Sequence, residues 1–264
     1  MKKKTVVITG ASRGVGAQMA RRLAQEYDVV LFAKTSEPHP KLSGTIHTVA
    51  KEIEDAGGRV LPLKVDVRHQ NQVEDAMEQA AEFGGGSIYG LINNASALPF
   101  DGSEKQLALV KQVIVDGTHY CTEEFLRYSK ESENPHVINI APPLPMADHW
   151  IKKYGAYAEA KRTVSEMTEL RSEIRPNTFI NALWPKTMLF TAATKALFGD
   201  EKARKCTRNP SIMADAVALI LKSSETGRFF TDESALRELG GVTDFSGYLL
   251  PGSLAEDLMP DVFV

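Results

Sequence analysis

The sequence predicts an α/β protein: a doubly wound parallel sheet with helices on both faces, in one domain over residues 1–264. Three observations predict it. Short, continuously apolar runs alternate with amphipathic stretches along the chain, the pattern of strands buried on both faces by crossover helices. Gly10, Gly14 and Gly16 directly follow the first of those runs, where a strand would hand over to a helix. No internal repeat, low-complexity tract or linker divides the chain. Together they give a Rossmann-like arrangement with right-handed crossovers.

The elements follow in order. Thr5–Thr9 is a β-branched apolar run, read as the first strand, and Lys2, Lys3 and Lys4 solvate its start. That charged start is followed by no apolar run long enough for a signal peptide or a membrane span. A helix is expected over 15–26 and a strand over 29–33. Ile46, Val49, Ile53 and Ala56 recur at helical spacing until Gly57-Gly58 stops them. Strand 60–65, helix 72–82, the glycine break Gly84-Gly85-Gly86 and strand 88–92 continue the alternation. One long helix over 104–129, strand His136–Ile140, a helix carrying Tyr157 and strand 179–183 complete it. The cofactor half is expected to reach about residue 140, with the catalytic and substrate half beyond it.

Of the 264 residues, 43% are hydrophobic and 25% charged, an ordinary balance for a soluble globular protein with a sizeable core. The net charge of -3 and pI near 6.1 lack the basic excess of a nucleic-acid or anionic-membrane surface, so neither partner is expected. Cys121 and Cys206 form neither a disulfide framework nor a metal motif, and His39, His47, His119 and His136 have no ligand spacing. No metal is expected, and a reducing compartment, the cytoplasm, is the simplest setting.

Two groups of residues carry chemistry. A glycine turn between strand and helix lets main-chain N–H groups and the helix dipole grip a pyrophosphate. Its spacing, Gly-x3-Gly-x-Gly, differs from the common dinucleotide fingerprint. Tyr157 and Lys161 stand one helical turn apart on one face. An ammonium there is expected to pull the phenol down toward the working range of an acid–base catalyst. Tyr154 lacks such a partner, because Ala158 stands four residues on. At the end of the second strand, Lys34 stands where an NAD site would carry a carboxylate, and Arg13 lies in the glycine turn. Two cations attract a ribose 2′-phosphate, which predicts NADP(H), and Lys41 in the loop 36–44 is expected to add a third.

Thr9-Gly10-x-x-x-Gly14-x-Gly16, Asn93-Asn94-Ala95 and Tyr157-x-x-x-Lys161 resemble, in that order, the signature of the short-chain dehydrogenase/reductase superfamily. Lys34-Thr35, Pro38 to Leu42, Gly44-Thr45-Ile46, Pro142-Pro143 and Asn181 to Thr187 are similar to its hydroxysteroid dehydrogenase-like subgroup. Larger members of that subgroup carry a sterol-carrier-like domain, and none is read in this sequence.

The resemblance implies that Gly10, Ser12, Arg13, Gly14, Val15, Gly16 and Lys34 hold the cofactor's phosphates and ribose. It puts Asp66 and Val67 at the adenine, Asn93 and Ala95 along the ribose, and Pro185, Thr187 and Met188 at the nicotinamide carboxamide. Tyr157 becomes the proton donor and Lys161 the holder of the nicotinamide ribose. It also implies dimers or tetramers, paired through the long helix and the tyrosine helix. Two departures stand out. Pro142 replaces the usual carbonyl-binding serine, and Ile114, in Val113-Ile114-Val115, replaces the usual asparagine. Ser96 could supply a substitute hydroxyl.

Two functions are therefore open: an oxidoreductase acting on a hydrophobic carbonyl or alcohol, or an NADP(H)-binding protein with weak or no turnover. The substrate is expected to lie under segments 144–153 and 188–200, which hold Leu144, Met146, Trp150, Ile151, Met188, Leu189, Phe190, Leu197 and Phe198. His149 and Lys153 are candidates for a polar head group. Residues 247–264, with Pro251 and Pro260, read as a strap over the site or over a neighbouring subunit, and end without a peroxisomal address.

Overall fold

The structure, a computed structural model, describes residues 3–38, 44–98 and 102–264. Lys41, expected as a third cation, lies outside the described residues. Seven parallel strands form one sheet in the order β3-β2-β1-β4-β5-β6-β7. They are β1 (Thr5–Thr9), β2 (Asp28–Ala33), β3 (Val60–Lys64), β4 (Gly90–Asn93), β5 (His136–Ile140), β6 (Phe179–Trp184) and β7 (Phe229–Thr231). All residues of β1 and β2 are buried, as the continuous apolar runs require when helices cover both faces.

On one face lie α1 (Gly14–Leu23), α2 (Ile46–Asp55), α9 (Ser211–Ile220) and α10 (Asp232–Gly240). α1 turns Ala17, Met19, Ala20 and Leu23 into that layer against α9, whose Ile212, Ala216, Val217 and Ile220 are fully buried. The other face carries α3 (Gln70–Gly84), α5 (Gly117–Tyr128) and α6 (Asp148–Ile174). There Phe32, Met77, Leu91 and Phe125 are sealed from water, each contributing about 1.5–3 kcal/mol of burial. Strand order reverses between β1 and β4, so a crevice opens at the carboxyl ends of those strands.

Three elements differ from expectation. The helix predicted over 104–129 is three pieces: α4 (Glu104–Lys111), a π-helical segment (Gln112–Asp116) and α5. Apolar periodicity cannot register the extra residue per turn that a π-bulge inserts. Gly117 follows it because a Cβ there would meet Val67 Cγ2 at 2.7 Å. The glycine break begins one residue late: Gly84 ends α3, and Gly85, at φ 77°, is its left-handed cap. The tyrosine helix kinks at Gly155 (φ 49°, ψ −130°), two residues before Tyr157. β7, α7 (Ala192–Phe198), α8 (Asp200–Cys206), α9 and α10 were not read from the sequence; β7 is three residues long, too short for an alternation signal.

Candidate active site

The glycine turn is built by contacts that a side chain would break. Gly10 has φ +68°, and a Cβ on it would stand 2.9 Å from Ala95 Cα. A Cβ on Gly16 would stand 2.5 Å from the Gly10 carbonyl oxygen and 2.6 Å from Asn94 Nδ2. Thr9, at the tip of β1, ties this turn to the tip of β4. Its hydroxyl accepts the Asn94 and Ala95 N–H groups, both at 2.9 Å, and donates to the Ile92 carbonyl at 3.3 Å. Asn94 Nδ2 donates back to the Thr9 carbonyl at 2.9 Å.

Arg13 is the N-cap of α1 and its side chain does not cap the helix, so the first-turn N–H groups of Gly14, Val15 and Gly16 face outward, unmatched by a protein side chain. Its Nη2 donates to the Gly44 carbonyl at 3.0 Å, while its Nε is buried without a hydrogen-bond partner. A cleft of about 320 Å³ opens here, lined by Gly10, Ser12, Arg13, Lys34, Asp66, Val67, Asn94, Ala95 and Ser96 among others. Asp66 is gripped by Arg68 (Nε–Oδ1 2.8 Å, Nη2–Oδ2 2.5 Å). That guanidinium, with Lys34 adding a smaller pull, holds the carboxyl below its usual range despite burial. Asp66 is thereby matched by Arg68, and Arg13 and Lys34 line the cleft as the remaining cations.

Asn93 departs from its expected place. Its Nδ2 donates inward, to Asn139 Oδ1 at 2.8 Å and Thr122 Oγ1 at 3.1 Å. The side chain is 6% exposed and fastens β4 to β5 and α5. Strand alternation explains this: its neighbour Asn94 faces the cleft instead, and only the Asn93 main chain is left for a ribose. Asn94 was missed although it belongs to the same motif.

Tyr157 and Lys161 share a face of α6 at the end of β5. Lys161 is 3% exposed, its Nζ donates to the Ile140 carbonyl at 2.8 Å and lies 6.0 Å from the centre of the Tyr157 ring. Burial pulls this ammonium down to about 7, with Asp261 opposing. The phenol is not depressed as expected. Burial raises it, Asp261 adds to the rise, and only the nearby Ser96 side chain acts downward. Desolvation of the phenol is the largest cause, and Lys161 is not among those that act on it.

Ser96 borders the cleft, as its place in the sequence allowed. Pro142 contributes only a carbonyl, which accepts the Ser165 hydroxyl at 2.7 Å. Ile114, in the π-helical segment, is 1% exposed and packs with Val110, Ala141, Ala160, Val164 and Ala182. Both departures stand in the structure: neither position offers a side-chain polar group.

The carboxamide turn follows β6. Pro185 is buried, and the Thr187 hydroxyl oxygen is buried without a partner. The strap 259–264 is laid across this turn. Met188 N–H donates to the Met259 carbonyl (2.9 Å), Thr187 bridges Pro260, and Asp261 N–H donates to the Lys186 carbonyl (3.1 Å). Lys186 N–H in turn donates to Asp232 Oδ1 at 2.9 Å. Asp232 is fully buried, and burial pushes its carboxyl up to about 6. Trp184 Nε1 donates to the Val262 carbonyl at 2.8 Å, and Phe263 packs into Met146, Trp150, Tyr154, Tyr157 and Trp184. Burial also pushes Asp261 up to about 7, with Lys161 opposing. Asp232, Asp261 and Phe263 reach the site from far along the chain, and no local pattern marks them.

Of the two expected covering segments, 144–153 supplies Met146, Trp150 and Ile151 to this cluster. His149 lies against Trp150 (4.4 Å between ring centres), and Lys153 Nζ sits 5.2 Å from the Tyr154 ring. The other segment differs: α7 buries no residue, and Leu197 is 67% exposed. Leu189, just before that helix, is buried at 5% exposure and packs in the layer of α1 and α9.

A strand-to-helix glycine turn stands at the topological switch point, and Tyr157 and Lys161 share a face of α6 at the end of β5. A short chain dehydrogenase family model matches residues 4–202. The chain belongs to the short-chain dehydrogenase family.

This short-chain dehydrogenase is 43% identical over 270 residues to hydroxysteroid dehydrogenase-like protein 2 of Danio rerio, covering 98% of the chain and 63% of the relative. The chain therefore spans just under two thirds of that relative's length. A crystal structure of a dehydrogenase from Xanthomonas campestris matches with a TM-score of 0.90 and 37% identity, covering 100% of this chain and 98% of the other. A short chain dehydrogenase from Mycobacterium thermoresistibile matches with a TM-score of 0.89 and 37% identity, covering 100% and 95%. Members of the family use nicotinamide cofactors, and the site of this short-chain dehydrogenase fits one. It offers an α1 N-terminus without a side-chain cap, an orphaned Arg13 Nε beside it, and an orphaned Thr187 hydroxyl in the turn after β6, each a group that such a cofactor could satisfy. No helix among the described residues is long and apolar enough to cross a membrane, and no group of three or more His, Cys, Asp or Glu among them could hold a metal ion.

Proposed function

We propose that this chain is an NADP(H)-dependent oxidoreductase that moves hydride to or from a hydrophobic carbonyl or alcohol substrate, with Tyr157 as the acid or base. The observation that carries the reading is the Tyr157–Lys161 pair at the end of β5, with Lys161 Nζ held on the Ile140 carbonyl at 2.8 Å and 6.0 Å from the centre of the phenol ring, because it puts a proton donor and a cation together where a carbonyl oxygen would be received. When bound, the nicotinamide supplies or accepts the hydride. Every other part belongs to the chain.

The first-turn N–H groups of α1, with Gly10 and Ser12, hold the pyrophosphate. Arg13 and Lys34 face the adenosine ribose, and their joint positive charge favours a 2′-phosphate over a bare diol. Asp66 and Val67 flank the adenine, and Ala95 with the Asn93 main chain follows the ribose. Lys161 holds the nicotinamide ribose hydroxyls, and Pro185, Thr187 and Met188 receive the carboxamide. Tyr157 donates its proton to the carbonyl oxygen as hydride arrives, or removes the alcohol proton in reverse. A high phenol pKa suits the acid role in the reductive direction: the proton is present at neutral pH. Ser96 stands in for the donor that Pro142 lacks; one such donor to a developing oxyanion contributes about 3 kcal/mol.

The second reading, a cofactor-binding protein with little turnover, draws on the absence of a polar side chain at Pro142 and Ile114. The intact Tyr157–Lys161 pair favours the enzyme. Assembly as a homo-oligomer through α5 and α6 belongs to the proposal, supported by Leu170 and Ile174, each 57% exposed on α6; light scattering that gives a monomer would remove this part. A cytoplasmic setting belongs to it as well. The test of function is oxidation of NADPH and of NADH against a panel of hydrophobic aldehydes and ketones. The reading expects turnover with NADPH in preference to NADH, and tight NADPH binding with no turnover across the panel would favour the second reading.

A further inference from the structure

Phe263 stands out on three counts. Its backbone has φ +73°, a conformation that a bulky non-glycine residue rarely adopts and that signals strain held for a purpose. Its ring is nevertheless buried, with 4% exposure, beside the tyrosine to which the proton chemistry is assigned. Finally, the ring is enclosed by aromatic side chains. Its centre lies 6.0 Å from Tyr157 at a 28° interplanar angle, 5.6 Å from Trp150 edge-on, 5.8 Å from Tyr154 edge-on and 5.6 Å from Trp184. Such arrangements are individually modest and directional, and together they outweigh the backbone strain.

The strap that carries this ring is tied by main-chain hydrogen bonds to the turn after β6, by the Met259 N–H donating to the Cys206 carbonyl at 2.9 Å, and by the Trp184 Nε1–Val262 bond. No helix or strand of the sheet contains it. It is therefore an element that can lift while the sheet stays intact, and its hinge runs along Lys186 and Met188, beside the residues assigned to the cofactor.

We infer that Phe263 is the specificity-determining residue of this site, occupying the apolar slot beside Tyr157 where the non-reacting part of a bulky carbonyl substrate would lie. The inference rests on the reductase reading for its substrate class. With the ring seated, slim carbonyl compounds reach Tyr157 and fused-ring ones are excluded. With the ring removed, the slot keeps the aromatic walls of Trp150, Tyr154 and Trp184 and admits a fused ring system.

Two variants separate the ring from the strain: Phe263→Ala removes the ring, and Phe263→Gly removes it while relieving the positive φ. The probes are cyclohexanone and 2-decalone, one ring and two fused rings with the same reacting group, assayed with NADPH. Trp150 and Trp184 are the only tryptophans in the chain and both touch Phe263, so intrinsic fluorescence reports the slot without reference to turnover. Both variants are expected to raise the ratio of kcat/KM for 2-decalone over cyclohexanone about tenfold or more, a usual scale for opening an apolar pocket, with a shifted tryptophan emission. A ratio unchanged within about twofold, alongside that shift, overturns the inference.

If no protein of the set reduces either ketone, the reductase reading has failed for these substrates and the gate is judged by binding alone. Half-saturation of the tryptophan signal by 2-decalone should then fall about tenfold in both variants. Equal half-saturation in wild type and variants overturns the inference on that ground as well.

Discussion

Replacing Thr9 by valine tests the joint on which the cofactor turn hangs. Valine keeps the shape of the residue, which is 2% exposed, and removes only the hydroxyl. The Ala95 N–H then loses the acceptor it has at 2.9 Å, while the Asn94 N–H keeps a second one, the Ile92 carbonyl at 3.1 Å. One N–H without a partner costs about 1–3 kcal/mol and a weakened second bond up to about 1 kcal/mol. Ala95 borders the cleft and retains some water access, which puts the expected loss near 2 kcal/mol. For a chain of this size that is about 4–8 °C in Tm. Urea unfolding should show a lower midpoint with an unchanged m-value, and fluorescence titration should show weaker NADPH binding, because Gly10 and Ala95 are no longer held together. A variant within about 0.5 kcal/mol of wild type, with unchanged NADPH affinity, would refute the argument.

Other consequences follow from single contacts. Gly16→Ala puts a methyl 2.5 Å from the Gly10 carbonyl oxygen; overpacking of this kind costs about 1–3 kcal/mol, and NADPH affinity should collapse, so a retained affinity would contradict the geometry. Arg13→Ala combined with Lys34→Ala should weaken NADPH at least about tenfold and leave NADH within about twofold; equal losses would remove the 2′-phosphate assignment. His136, 1% exposed beside Tyr89 and Phe179, is held neutral by burial down to about 4, with Lys4 a smaller cause. Between pH 6.5 and 4 the unfolded chain gains a proton there that the native state refuses, so stability falls as pH falls, by about 3 kcal/mol over the window. An NMR titration with a His136 midpoint near 6.5 would contradict this.

The sequence made the sheet legible because its strands are buried on both faces. Val6, Val7 and Ile8, or Val29 to Phe32, leave no alternation to misread. The glycine turn and the Tyr157–Lys161 pair were legible for a similar reason: each is a local constraint with a fixed spacing. The side-chain direction of Asn93 was not legible, because the motif names two asparagines and only the pleat of β4 decides which one faces the cleft. The phenol was expected to be acidified by Lys161, and burial proved the larger effect. The apolar residues of 188–200 suggested a cover over the substrate, but α7 buries nothing. The strap could be suspected from its prolines and apolar residues, yet its seat beside Tyr157 was not legible. Phe263 lies over a hundred residues from Tyr157 in sequence, and no periodicity spans such a distance.

The central claim is that Tyr157 moves the proton of a hydride-transfer reaction on NADP(H). Tyr157→Phe tests it most directly, with NADPH oxidation measured against the best substrate of the carbonyl panel and NADPH affinity measured by fluorescence on the same sample. The account predicts turnover reduced at least about a hundredfold, the scale of losing a positioned general acid, with affinity within about threefold of wild type. Turnover that survives the substitution would contradict the account.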